Sequence, residues 1–203
     1  MKVLEIHEIT EPILNLDLSG FDIFTFDDCL YSQYKYYDFF KSFKKPMFYF
    51  LSTAIYRRNE SPKLMRCDIA HKQAILEHDC SGYMSLDEIH EIANNETIGL
   101  HGQNHLYLNN LKKIDQLKVC YSETDAMVFD FKKLGLTPEY FQAPYNFQSF
   151  YPNFLKKYNI FKTFYNRISI ESLFKHECHD VWVNDISHEV QLYCKNFKSA
   201  HNG

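Results

Sequence analysis

The sequence predicts an α/β protein, a distorted (β/α) barrel of about six to seven strands. Apolar, strand-like runs alternate with helix-like segments along the chain, the pattern of a mostly parallel sheet. No internal repeat or low-complexity segment interrupts that alternation, so one domain over residues 1–203 accounts for it. Polar, chemistry-bearing residues recur just after the predicted strands, which is where such folds place their functional groups.

Taken in order, residues 21–26 form a β-rich apolar run. The segment 31–43 follows, free of Gly and Pro but with aromatics too dense for a clean helical stripe. Pro46 ends it and leads into Met47-Phe48-Tyr49-Phe50-Leu51, a strand buried on both faces. From 56 to 83 the chain is polar and irregular, with Arg57, Arg58, Pro62 and Gly82 as breakers, and reads as an insertion with a short helix at 69–76. Ser85-Leu86-Asp87-Glu88 is a capping box that opens a helix to about Ala93, and a strand follows at 97–100. Ile114, Leu117, Tyr121, Val128, Phe131 and Leu134 keep helical spacing up to Gly135 at the C′ position. A strand at 140–143, a short helix at 150–158, strands at 160–165 and 181–186 and a closing helix at 190–198 complete the expectation.

Composition narrows the function. With 45% hydrophobic residues, 203 residues can build a sizeable core. The net charge of -4, from 22 basic and 26 acidic residues, provides no polybasic footprint for nucleic acid or anionic membrane. No apolar run approaches membrane-spanning length, and acidic residues break the N-terminal segment where a signal peptide would need an apolar stretch. Six scattered cysteines without a CxxC pair fit reduced thiols, and the expected location is the cytoplasm.

Two clusters carry the chemistry: Phe24-Thr25-Phe26-Asp27-Asp28 and His101-Gly102-Gln103-Asn104-His105. Singly, each has a plain reading, the first as a helix N-cap with a solvated neighbour and the second as a turn histidine and a surface one. Together, each following a predicted strand and succeeded by Ala143-Pro144-Tyr145 and a late histidine, they point to one shared metal site.

On these residues the chain resembles the polysaccharide deacetylase family, the NodB-homology carbohydrate esterases. Thr25-Phe26-Asp27-Asp28 matches the family's TFDD signature, with Cys29 where Gly is usual, and His101 to His105 matches H-x-x-x-H, with Gly102 where the family has Ser or Thr. Gln142-Ala143-Pro144-Tyr145-Asn146 is similar to the segment R-x-P-Y-G/N, with Gln142 replacing the Arg that pairs with the base aspartate. Ile186-Ser187-His188-Glu189 best meets the late motif, with His179 as a rival.

The resemblance implies a NodB-like barrel and a hydrolase that removes N-acetyl, or less often O-acetyl, groups from a carbohydrate. It makes Asp28, His101 and His105 the metal ligands, Asp27 the general base, His188 the general acid and the Tyr145 N–H an oxyanion donor. Gln142, Pro144 and Trp182 become the expected substrate contacts. One carboxylate and two neutral imidazoles leave coordination positions open for water and substrate, which suits Zn²⁺, with Co²⁺ and Ni²⁺ as alternatives. Asp27 and Asp28 are neighbours, and successive strand side chains point to opposite faces, so both reach one site only if the strand ends there and the backbone turns. Two other readings stay open: a catalytically impaired glycan-binding protein of the same fold, and an amidohydrolase acting on a non-sugar amide. The sequence does not fix the oligomeric state.

Overall fold

The computed structural model describes residues 1–146 and 150–173. The predicted strand at 181–186, the closing helix, and His179, Trp182 and His188 lie outside the described residues.

Five strands form one parallel sheet: β1 (Val3–Ile6), β2 (Ile23–Asp27), β3 (Met47–Leu51), β4 (Thr97–Leu100) and β5 (Ile168–Ser169). Their order is β4-β3-β2-β1-β5, so the first four lie in sequence order and the last returns to the free edge of β1. Side chains alternate between two buried layers, as they must in a parallel sheet covered on both faces. Leu4, Ile6, Phe24, Phe26, Met47, Tyr49, Leu51, Ile98 and Leu100 join the main core with helical residues such as Phe40, Ile89, Met127 and Phe131. On the opposite face Val3 and Phe50 pack with Phe164, flanked by Ile23, Phe48 and Tyr140. Each fully buried Phe contributes roughly 1.5–3 kcal/mol of transfer free energy. Gly99 sits where this inner layer is tightest, since a Cβ there would lie 2.7 Å from the Phe50 ring.

The helices are α1 (Tyr31–Lys35), α2 (Tyr37–Lys41), α3 (Cys67–Lys72), α4 (Leu86–Ala93), α5 (Lys113–Lys133) and α6 (Tyr151–Leu155). The capping box at Ser85 and Glu88 is present on both arms, and Gly135 has the left-handed φ of +78° that a C′ glycine supplies. The aromatic segment after Leu30 is helical but breaks into two short pieces at Tyr36.

The α/β class and parallel sheet are present, while the six to seven strands of the expected barrel are not all seen: among the described residues the sheet is open and five-stranded. The strands expected at 140–143 and 160–165 shrink to single bridges, Leu100 with Phe141 and Tyr140 with Lys162. The second segment buries little that would fix a longer ladder, because Phe161 and Tyr165 both face solvent. The chain between Lys162 and Ile168 instead joins the β4 side of the sheet to the β1 edge, carrying Phe164 and Arg167 across the inner face. β1 is a strand that the sequence reading does not assign, because its apolar residues are interrupted by Glu5 and His7.

Candidate metal centre

The inner layer changes character towards the C-terminal ends of the strands. At the lower end are Val3 and Ile23; then the same face carries Glu5 and Thr25 level with Phe48, Asp27 level with Phe50 and, one residue beyond β4, His101. Asp27 is the last residue of β2, and the two that follow it take left-handed backbone, Asp28 at φ 76° and Cys29 at φ 55°. That turn brings two adjacent carboxylates to one place, where a continuing strand would separate them. A non-glycine residue in this region costs of order 1–3 kcal/mol, and such strain concentrates at functional sites.

The second cluster is fixed by the framework around it. His101 donates its N–H to the Leu51 carbonyl at 2.9 Å, and its own carbonyl accepts from Ser52 Oγ at 2.9 Å. Gly102 and Gln103 accept from the N–H groups of Thr53 and Ala54. Gly102 has φ +80°, and a Cβ there would meet Pro144 Cγ at 3.2 Å, so glycine answers both conformation and space. Buried Glu123 of α5 accepts the Asn104 N–H at 2.9 Å and the Tyr151 hydroxyl, while Asp130 accepts from Gln103 Nε2 at 2.8 Å.

The three expected ligands converge. His105 Nε2 lies 3.0 Å from Asp28 Oδ1 and His101 Nε2 lies 3.5 Å from the same oxygen. Their exposures are 1% for Asp28 and His101 and 4% for His105, so these groups are out of water. His101 donates Nδ1–H to the Gln142 carbonyl at 2.8 Å, which leaves Nε2 as a bare lone pair. That lone pair faces Asp28, with Asp27 Oδ2 at 3.9 Å, acceptor against acceptor. Burial pushes both imidazoles below their ordinary value, His105 to about 3 with help from neighbouring His71, so they are neutral. Burial alone would raise the Asp28 carboxyl, but His71 and His105 around it hold it well below the usual range. An ionised carboxylate facing neutral imidazole nitrogens, with Asp28 Oδ1 and His105 Nδ1 lacking hydrogen-bond partners among the described residues, fits a divalent cation.

Asp27 is held by a residue that the sequence reading does not single out. Arg167 binds it in a fork, Nη1 to Oδ1 at 2.6 Å and Nη2 to Oδ2 at 2.8 Å, and also reaches Glu5 Oε1 at 2.7 Å and Thr25 Oγ1 at 3.3 Å. Its side chain is 2% exposed. Burial raises the Asp27 carboxyl, but the Arg167 charge, and then His101, overcome it and keep the group below its ordinary value. The guanidinium beside Asp27 thus comes from just before β5. A signal existed: the chain has four arginines, and three of them lie within 56–83.

Gln142 itself is fully buried, with its amide oxygen accepting from Thr163 Oγ1 at 3.2 Å and its carbonyl orienting His101. It sits against His101 and has no exposed surface. Pro144 is buried against Gly102. The Tyr145 backbone is left-handed at φ 53°, and its ring packs on His105 at 4.7 Å and on Tyr107 at 5.0 Å. On the far side, His7 just beyond β1 lies within 4.8 Å of Glu5 and Asp27. Burial opposes its charge, but Glu171 and the carboxylates around it hold His7 up to about 10.

The insertion also reaches the centre. His71 of α3 stacks on His105 with ring centroids 4.1 Å apart, and it is 2% exposed. An open cavity of about 220 Å³ lies between the insertion and the loop of the second cluster, lined by Tyr56, Arg58, Glu60, Ile75, His78 and Asn104 among others.

No protein-family model matches the sequence, and no curated protein matches it. Solved structures do. IcaB from Ammonifex degensii aligns over 83% of this chain and 84% of its own with a TM-score of 0.58 at 16% identity. The Streptococcus pyogenes deacetylase PplD, in complex with acetate, aligns over 78% of this chain and 80% of its own with a TM-score of 0.50 at 14% identity. At these identities the likeness is one of architecture: this chain has the fold that a deacetylase uses.

Proposed function

We propose that the protein is a divalent-metal hydrolase of the polysaccharide deacetylase type, removing N-acetyl or O-acetyl groups from a carbohydrate. The observation that carries this reading is the meeting of Asp28, His101 and His105 at one point, beside a second carboxylate clamped by an arginine. Asp28, His101 and His105 would hold the metal, with Zn²⁺ first and Co²⁺ or Ni²⁺ as alternatives. When bound, the metal supplies Lewis acidity to a carbonyl oxygen and to water.

The chain's own groups do the rest. Asp27 accepts the proton of the attacking water, and the Arg167 fork keeps it ionised and aimed. His101 is locked in its ligand tautomer by the Gln142 carbonyl. The Tyr145 N–H serves the oxyanion and His188 the leaving group, both on the strength of the resemblance. Trp182 and Pro144 line the sugar side in the same reading.

A neutral Gln142 no longer argues for a silent protein, since Arg167 provides the missing charge. The non-sugar amide remains a second reading, favoured by one observation: Asp27, Asp28, His101 and His105 are none more than 4% exposed, which suits a small acyl substrate better than a polymer. The test is acetate release by the Zn²⁺-loaded protein from N-acetylated sugars and oligosaccharides, set against small acetamides. Turnover lost in Asp27→Asn with metal content kept supports the hydrolase; bound metal with no acetate from any sugar overturns the carbohydrate assignment.

A further inference from the structure

We propose that Cys67, His71 and the second oxygen of Asp28 form a further metal position, so that Asp28 bridges two divalent ions. The inference rests on the reading of Asp28, His101 and His105 as ligands to the first. Asp28 is faced differently on its two oxygens. Oδ1 has His105 and His101 at 3.0 and 3.5 Å, while Oδ2 has His71 Nε2 at 3.3 Å and Cys67 Sγ at 3.4 Å. One donor atom from each of Asp28, Cys67 and His71 lies within 4.8 Å of the others, and all three residues are at most 2% exposed.

The local structure presents them together. Cys67 and His71 are four residues apart on α3, which places both on one helical face. Glu8 Oε2 accepts the Cys67 N–H at 3.1 Å and so ties the start of that helix to the end of β1. His71 Nδ1 lies 2.5 Å from the Tyr83 hydroxyl, which can accept its N–H and leave Nε2 as a lone pair for a metal. Its Nε2, aimed at Asp28, has no hydrogen-bond partner among the described residues. A thiol hydrogen bond to Asp28 explains Cys67 alone; His71 Nε2, 3.3 Å from the same oxygen, makes no aligned hydrogen bond to it.

Thiolate, imidazole and carboxylate together suit Zn²⁺ or another thiophilic divalent ion, and its binding would release the Cys67 thiol proton to solvent. One carboxylate serving a separate donor pair with each oxygen is the arrangement that two-metal sites use.

The full-length protein, stripped with chelator and reloaded with Zn²⁺ or Co²⁺, tests this by metal stoichiometry and by the near-ultraviolet charge-transfer absorption of a cobalt–thiolate bond. The expected result is two ions per chain with that band present in the wild type. Cys67→Ser and His71→Ala should each hold one ion, and Cys67→Ser should lose the band. One ion per chain without the band overturns the proposal, and so does one ion with the band, which would mean a single merged centre. The wild-type measurements decide even if a variant fails to fold. Acetate release measured in parallel separates the two readings: one ion with acetate released leaves the hydrolase standing and removes only the bridge.

Discussion

Asp28 is approached from two regions built in different ways, the strand-end framework and the insertion. On the framework side, His101 and the residues after it are held by backbone hydrogen bonds to Leu51, Thr53 and Ala54 and by Glu123 and Asp130 of a 21-residue helix. On the insertion side, His71 stands on a helix of six residues that runs into a π turn, and within the insertion its ring is held by one hydroxyl, that of Tyr83. The framework is over-determined and the insertion is not. If this difference governs function, removing a framework ligand should be catastrophic, while removing an insertion ligand should change stoichiometry or rate in degree.

The sharpest break is therefore Asp28→Ala or His101→Ala against His71→Ala. Asp28→Ala should lose all bound metal and His101→Ala the ion shared with His105, each with loss of all acetate release, whereas His71→Ala should retain the ion on His101 and His105. Asp27→Asn completes the set, with a loss of about 10²–10⁴-fold in turnover, the usual contribution of a general base, and unchanged metal content. Elemental analysis beside an acetate assay reads both quantities.

Arg167 tests the framework's charge balance. Two buried carboxylates, Glu5 and Asp27, share this one guanidinium, so Arg167→Met leaves His7 as the cation beside them and should cost about 3–5 kcal/mol in a denaturant melt. Arg167→Lys keeps the charge but lacks the fork and should lie between, with a larger loss of turnover than of stability. Equal losses in both variants would mean that the charge contributes nothing without the fork.

Proton linkage separates the regions next, in metal-free protein. His105 titrates at about 3 in the folded chain against an ordinary value of 6.5, so between those limits the unfolded chain takes up a proton that the folded one refuses. Stability should fall as pH drops below 6.5, by up to about 1.4 kcal/mol per pH unit for this group. Buried Glu5 and Glu123 are shifted upwards and act in the opposite sense at lower pH, so the measurement is the difference between wild type and His105→Asn, whose acid limb should be shallower. His7, raised to about 10, holds a proton that the unfolded chain has lost above 6.5, so stability should also decline towards alkaline pH and His7→Gln should flatten that limb.

The two regions also differ in how far the sequence disclosed them. β3 and β4 fall at the boundaries that their apolar runs predict, and the capping box and Gly135 mark real helix ends. Asp27, Asp28, His101 and His105 were legible because strand ends in a parallel sheet converge, so spacing after strands becomes proximity. Arg167 was hidden because it precedes a two-residue strand with no periodicity to announce it. The approach of Cys67 and His71 to Asp28 was hidden for another reason. A polar, irregular segment carries no signal of which way it folds back; contacts distant in sequence, the bridges of Leu30 with Tyr83 and Arg57 with Ser85 and the Glu8 bond to Cys67 among them, determine where α3 lands. The single bridges at Phe141 and Lys162 show the converse error, in which aromatic, β-prone composition was present but too few side chains could be buried to extend a ladder.

The smallest effect concerns the stem of the insertion, where the two regions join. Arg57 at one end bonds Glu88 at 2.7 Å, and Glu88 also accepts the Ser85 N–H at 2.7 Å while Ser85 caps α4 in return. One carboxylate thus closes the loop and starts the helix. Ser85→Ala removes the cap but leaves the Arg57–Glu88 pair, and should cost about 0.5–2 kcal/mol. Glu88→Gln weakens both functions at once. If the insertion is held chiefly through this stem, Glu88→Gln should raise protease cleavage within 56–83 more than Ser85→Ala does, at similar global stability. Equal cleavage would place the hold on the insertion at Asp28, through Cys67 and His71, and excess Zn²⁺ should then protect both variants alike.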